Sequence, residues 1–139
     1  MPLKKLSQWL VIAGTLLIWA IKWVIRPLHW YDPSLKLLVG VAPNLLGSFL
    51  IPFGACWIAS VRPWRWARLF QVQTAAELKA ICLVGFVLLV INEYLQLIPL
   101  FGRTFDYLDI LFSAVGLAAA YLVYGRLLAR QAIRYDAEY

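Results

Sequence analysis

The chain has 139 residues and a formal net charge of +6; 63% of its residues are hydrophobic, 14% are charged and its mean hydropathy is +0.76. A soluble domain of this size leaves roughly a third of the surface of its unfolded chain in water, so this composition excludes a soluble enzyme and indicates a membrane protein. The positive charge does not predict binding to nucleic acid, because the lysines and arginines flank apolar segments, as on the cytoplasmic side of membrane proteins.

Four apolar stretches are long enough to cross a bilayer, which takes roughly 20 helical residues. They cover about residues 9–25, 37–61, 80–100 and 105–125. This pattern predicts an all-α, polytopic membrane protein that forms a single four-helix domain over residues 1–139. Lysine and arginine are concentrated in the N-terminus, the loop 62–79 and the C-terminal tail, so the positive-inside rule predicts that both termini are cytoplasmic. The links after the first and third spans then face outward.

The second span contains several small residues and two prolines. Its small residues are Gly47, Ser48, Gly54 and Ala55. Such residues allow the backbone of another helix to approach closely. Pro43 and Pro52 each lack an amide donor, so we expect a kinked or broken helix near Asn44, in a region that is packed or lines a wet cavity.

Polar side chains recur near the outer ends of the third and fourth spans. Glu93 and Gln96 are three residues apart and therefore share one face of the third helix. One stripe along the fourth helix has acidic residues at its outer end and small residues at its inner end. Its members are Asp106, Asp109, Ser113, Gly116 and Ala120. The short link 99–104 makes the two helices antiparallel neighbours, so these polar groups are expected at similar depth, with Arg103 at the rim.

An ionisable side chain near the bilayer centre costs at least about 2.5 kcal/mol unless it faces protein or water. We therefore expect Glu93, Asp106 and Asp109 to share an outward-facing pocket in which Arg103 pairs with one of the aspartates. The alternative is a polar clasp that only fixes the register of the helices.

The sequence contains no motif that predicts catalysis or a bound cofactor. No cluster of histidine or cysteine has the spacing of metal ligands, and neither a glycine-rich phosphate loop nor a serine nucleophile motif is present. Glu93 and Asp109 could act in acid–base hydrolysis, but two carboxylates alone do not establish it. We therefore predict no catalytic residue, no cofactor and no metal ligand.

Three segments resemble the VanZ-like family of bacterial membrane proteins, whose namesake is associated with resistance to teicoplanin. They cover residues 44–54, 92–96 and 102–109, and Gly116 follows them, so the resemblance extends over about residues 40–125. The matching signature positions are Asn44, Pro52, Gly54, Glu93, Gln96, Arg103, Asp106, Asp109 and Gly116. Ser113 departs from the pattern, which leads us to expect asparagine there. The resemblance implies a four-helix protein of the bacterial inner membrane.

These observations predict a membrane protein whose outward polar pocket, which includes Asn44 and Ser113, binds an envelope lipid, a lipid-linked ligand or a cationic ligand. Membrane lipids are then its partners, and a role in cell-envelope or glycopeptide-resistance biology follows from the resemblance. The alternative function is an accessory subunit of a larger membrane complex, or a homo-oligomer. An intramembrane enzyme is a third alternative, and it would require turnover that follows the ionisation of Glu93.

Overall fold

A computed structural model of the chain describes residues 2–28, 32–61, 67–96 and 106–136, and all regular secondary structure within these ranges is helical. The α-helices are α1 (Leu3–Ala20), α2 (Pro33–Phe49), α3 (Ile51–Val61), α4 (Ala75–Leu95) and α5 (Tyr107–Asp136). A π-helical turn, Ile21–Ile25, extends α1, and a 3-10 turn, Ala67–Phe70, precedes α4. The predicted all-α class is confirmed.

Three helical segments within the described ranges are long and apolar enough to cross a membrane: Leu3–Ile25, Ala75–Leu95 and Tyr107–Gln131. A fourth crossing is present if α2 and α3 are counted as one broken span. Long apolar helices of this kind indicate a membrane protein, as the composition predicts.

The helices begin earlier than the apolar stretches predict. The first begins at Leu3 instead of residue 9, and α4 begins at Ala75 instead of residue 80. A capping box explains the start of α4: the Glu77 amide donates to Thr74 Oγ1 (3.2 Å), and the Thr74 amide donates to Glu77 Oε2 (3.0 Å). Similarly, α2 begins at Pro33 instead of residue 37, since proline suits the first position of a helix. Polar and cap residues thus extend the helices beyond their apolar parts.

The helix α5 extends beyond its apolar part at its C-terminal end. It continues to Asp136, whereas the predicted apolar span ends at residue 125. The predicted end of the third span at residue 100 and the predicted start of the fourth at residue 105 lie outside the described residues.

The second span is broken, as predicted, but at Leu50 and not near Asn44, where α2 is continuous. The axes of α2 and α3 differ by 43° across Leu50. Pro52, the second residue of α3, has no amide hydrogen to donate to the Ser48 carbonyl one turn earlier. The Ser48 hydroxyl donates a separate bond to the Leu45 carbonyl (2.9 Å), of the local type that bends helices. Pro43 lies inside α2 without interrupting it, so the break belongs to Pro52.

A buried cluster joins four of the helices at one end of the bundle. Its members are Leu3, Phe53, Ala55, Val72, Leu78 and Tyr124. The Phe53 ring contacts that of Tyr124 edge to face, with 5.1 Å between centroids. Exposed cations lie within two residues of this cluster on α1, α4 and α5: Lys4, Lys5, Lys79 and Arg126. We call this the basic end of the bundle.

The α2 and α5 backbones approach each other closely at Gly116. A Cβ atom there would overlap the Ser48 hydroxyl and the Leu45 carbonyl. Ser113 and Ala120 are also buried, so the small residues of the predicted α5 stripe form a packing face. The prediction for the second span is corrected at Gly47 on α2 and Gly54 on α3, where an added Cβ would meet no described atom within 4 Å. These two glycines therefore do not mediate a close approach of another described helix.

Substitution of Gly116 by alanine is expected to destabilise the protein by about 1–3 kcal/mol, because the methyl group must displace a backbone carbonyl. Gly54→Ala is the matched control: its methyl group enters open space, so stability should be unchanged or raised by up to about 1 kcal/mol. Unfolding in detergent micelles, followed by circular dichroism, measures both. Equal stability of the Gly116→Ala variant and the wild type would contradict this packing.

Candidate functional site at the acidic end

The end of the bundle opposite the basic end carries the carboxylates Glu93, Asp106 and Asp109, and we call it the acidic end. Asp106 directly precedes α5, and its Oδ1 accepts a hydrogen bond from the Leu108 amide (2.9 Å), so it caps the helix. Asp109 lies in the first turn, where a negative charge is favoured by the helix dipole. Local helix chemistry thus explains both aspartates without reference to a ligand.

A cavity of about 420 Å³ lies between the first turns of α2 and α5. Its lining consists of Pro33, Lys36, Leu37, Gly40, Val41, Asp106 and Asp109. Lys36 and Asp106 are exposed, whereas Asp109 is half-buried. We call this the acidic-end cavity. It offers one ammonium group as donor and two carboxylates as acceptors beside an apolar wall, which suits a polar group attached to an apolar one.

Glu93 has a different environment from the two aspartates. Its side chain is only 6% exposed and does not line the acidic-end cavity. Its Oε2 accepts a hydrogen bond from Gln96 Nε2 (2.8 Å), and its Oε1 accepts one from the Asp106 amide (3.2 Å). The Glu93 carboxylate therefore ties the end of α4 to the start of α5. We call this arrangement of Glu93, Gln96 and Asp106 the α4–α5 clasp.

The predicted single pocket is thus divided in two. Asp106 and Asp109 line the cavity, while Glu93 and Gln96 form the clasp beside it. The physical reason is that the first amides of a helix have no partner within it, and the Asp106 amide finds one in the Glu93 carboxylate. Arg103, predicted to pair with an aspartate, lies outside the described residues.

The remaining predicted residues lie deeper in the bundle. Asn44 is half-buried on α2, three residues beyond the cavity-lining Val41. Ser113 is 4% exposed on α5, one turn beyond Asp109. Both therefore lie between the cavity and the contact at Gly116. The structural-motif positions Pro52, Gly54 and Gly116 do not line the cavity: the first two belong to the bend, and Gly116 to the packing of α2 on α5.

Two cations near the cavity were not among the predicted site residues. Lys36 lines the cavity. Its position could have been predicted from Pro33, since proline favours the start of a helix and so places Lys36 in the first turn of α2. Arg26 Nη2 donates a hydrogen bond to the Gly40 carbonyl (2.6 Å), which joins the end of the first span to α2 beside the cavity. Pro43 indicates this contact only weakly, because a proline inside a helix disturbs the carbonyls of the preceding turn.

No three histidine, cysteine, aspartate or glutamate side chains in the described ranges could hold a metal ion together.

Removal of the Glu93 carboxylate is expected to loosen the α4–α5 clasp. Glu93→Ala leaves the Asp106 amide and the Gln96 side chain without their acceptor, which should lower the free energy of unfolding by about 1–3 kcal/mol. Gln96→Ala removes one of these bonds and should cost about 1 kcal/mol. Unfolding in detergent of the two single variants and the double variant measures the coupling. Strictly additive effects, or a Glu93→Ala variant as stable as the wild type, would show that the clasp does not hold the helices.

Comparison with protein-family models, with curated proteins and with solved structures finds no match to this chain. The VanZ-like resemblance therefore stays a prediction.

Proposed function

We propose that this chain is an integral membrane protein that binds the polar group of an envelope lipid or lipid-linked ligand in the acidic-end cavity. The mixed charge of this cavity, with Lys36 facing the same space as Asp106 and Asp109, is the observation that carries the proposal. Charged groups in a membrane protein are retained where they face protein or water, and a cavity with charges of both signs provides such a place.

The cavity suits a headgroup that contains both a phosphate and an amino group. The Lys36 ammonium attracts the phosphate, while the Asp109 carboxylate attracts the amino group. Pro33, Leu37 and Val41 provide an apolar wall against which the lipid part can lie. A volume of about 420 Å³ falls within the usual range of small-molecule sites, about 300–1,000 Å³.

The charge distribution supports an outward-facing site. Cations collect at the basic end of the bundle, and the positive-inside rule assigns such an end to the cytoplasm. The acidic-end cavity would then open to the outer face of a bacterial inner membrane, where lipid-linked cell-wall precursors are found. A link to glycopeptide resistance is the corresponding proposal from the VanZ-like resemblance.

A second candidate function is an accessory subunit of a larger membrane complex. Gly40, which also lines the cavity, and Gly47 are seven residues apart on α2, close to two helical turns, and Gly54 follows after another seven on α3, beyond the bend. At all three positions an added Cβ would meet no described atom within 4 Å. A smooth glycine surface of this kind is typical of helices that pack against another membrane helix.

Native mass spectrometry of the protein, extracted gently from its own membranes, tests both functions. We expect the wild type to retain a polar lipid at a defined stoichiometry. Asp109→Asn and Lys36→Gln should each weaken the affinity for this lipid by about tenfold, the effect of losing one charge-assisted hydrogen bond. Asp32→Asn is the matched control, because Asp32 is an exposed carboxylate at the same end that neither lines the cavity nor caps α2 through its side chain.

The outcomes separate the two functions. Equal lipid retention by the wild type and the two cavity variants would refute the headgroup proposal. The subunit function would be established by a stoichiometric protein partner that is lost from the Gly47→Leu variant. This change places a bulky side chain on the glycine surface, and Gly47 does not line the cavity.

A further inference from the structure

The helices α4 and α5 are fastened to each other near both of their shared ends. At the acidic end the α4–α5 clasp joins Glu93 to the Asp106 amide. At the basic end, Leu78 Cδ2 lies 3.7 Å from the position that a Cβ atom of Gly125 would occupy. Between these contacts the helices enclose a groove of about 540 Å³. We call it the α4–α5 groove.

The lining of the groove is almost entirely apolar. Leu83 and Phe86 contribute from α4, and Ala114 and Ala118 from α5. The short alanine side chains leave room that larger residues would fill. Leu83 is 56% exposed, so the groove opens on the outer surface of the bundle, where the acyl chains of lipids surround a membrane protein.

One end of the groove is cationic. Lys79 lines it, and Arg126 lies one turn beyond the lining residue Leu122, on the same face of α5. The contact between Leu78 and Gly125 places the neighbouring residues Lys79 and Arg126 at the same depth.

One described acid, Glu77, lies close in sequence to Lys79, and its single negative charge is outnumbered by Lys79 and Arg126. The Glu77 carboxylate accepts hydrogen bonds from the amides of Gln73 (2.8 Å) and Thr74 (3.0 Å) and so completes the cap of α4. Glu77 and Lys79 are two residues apart, and such residues do not face each other on a helix. The basic end of the groove therefore presents a net positive charge.

We propose that the α4–α5 groove binds an anionic phospholipid, with one acyl chain along the apolar lining and the phosphate between Lys79 and Arg126. A cation near the membrane surface attracts anionic lipid by about 1 kcal/mol, and the groove adds a fixed position to that attraction. This site is distinct from the acidic-end cavity in place and in charge, and it does not depend on the function proposed for that cavity.

The test uses the purified full-length chain in detergent, titrated with phosphatidylglycerol or phosphatidylcholine of identical acyl chains and followed by native mass spectrometry. We expect the wild type to bind phosphatidylglycerol more tightly. Lys79→Gln should weaken phosphatidylglycerol binding about fivefold, the factor that corresponds to about 1 kcal/mol, and leave phosphatidylcholine unchanged. Ala118→Phe fills the groove and should weaken both lipids.

Two matched controls locate the effect. Lys5→Gln removes the same charge at the basic end from α1, which does not line the groove, and should leave phosphatidylglycerol binding unchanged. Ala80→Phe adds the same bulk at an exposed position next to Lys79 but outside the groove. Circular dichroism confirms that each variant keeps its helix content.

Three results would overturn the proposal. Equal binding of the two lipids by the wild type would show that the groove does not select an anionic headgroup. An equal loss from Lys5→Gln and Lys79→Gln would show diffuse attraction instead of a site. An Ala118→Phe variant that binds phosphatidylglycerol normally but changes from dimer to monomer would assign the groove to a second copy of the chain.

Discussion

The contact of α5 with α2 at Gly116 is the constraint on which the candidate site depends. The Gly116 backbone lies against the Leu45 carbonyl and the Ser48 hydroxyl, and no side chain fits between them. Asp109 lies two turns before Gly116 on the same face of α5, and the cavity lies between the first turns of α2 and α5. Along α5, the acidic residues that line the cavity are thus followed by the small residues that pack against α2. This packing holds the two helices together next to the cavity.

The need to satisfy backbone groups in an apolar environment explains why the three carboxylates differ. The Asp106 carboxylate and the Glu93 carboxylate both accept hydrogen bonds from amides at the start of α5. These two acids have structural tasks that a ligand cannot take over without loosening the helix. Within the part of the chain that the structure describes, no group donates a hydrogen bond to the Asp109 carboxylate. Asp109 is therefore the acid best suited to meet a ligand.

Sequence patterns predicted the features that depend on composition and periodicity. The apolar stretches located the helices that can span a membrane, and the small residues of the α5 stripe lie on its buried face. The two prolines predicted a break in the second span but not its position, because Pro43 is accommodated within α2. The patterns could not predict helix ends set by polar caps such as Thr74 and Glu77. They also could not separate Glu93 from the cavity, because residues at equal depth can face different neighbours. Lys36 was missed for the same reason: its position follows from the packing of α2 on α5, which no local pattern contains.

The clasp relates the two proposed sites to each other. Glu93 and Asp106 join α4 to α5 beyond the lining of the α4–α5 groove, and Asp106 also lines the acidic-end cavity. The groove is cationic only at the opposite end, beside Lys79. A lipid phosphate held there lies far from the carboxylates of the acidic end, so neither site disturbs the charge of the other. Because α5 carries both sites, its capped start and its contact at Gly116 must hold it in one register for either to form.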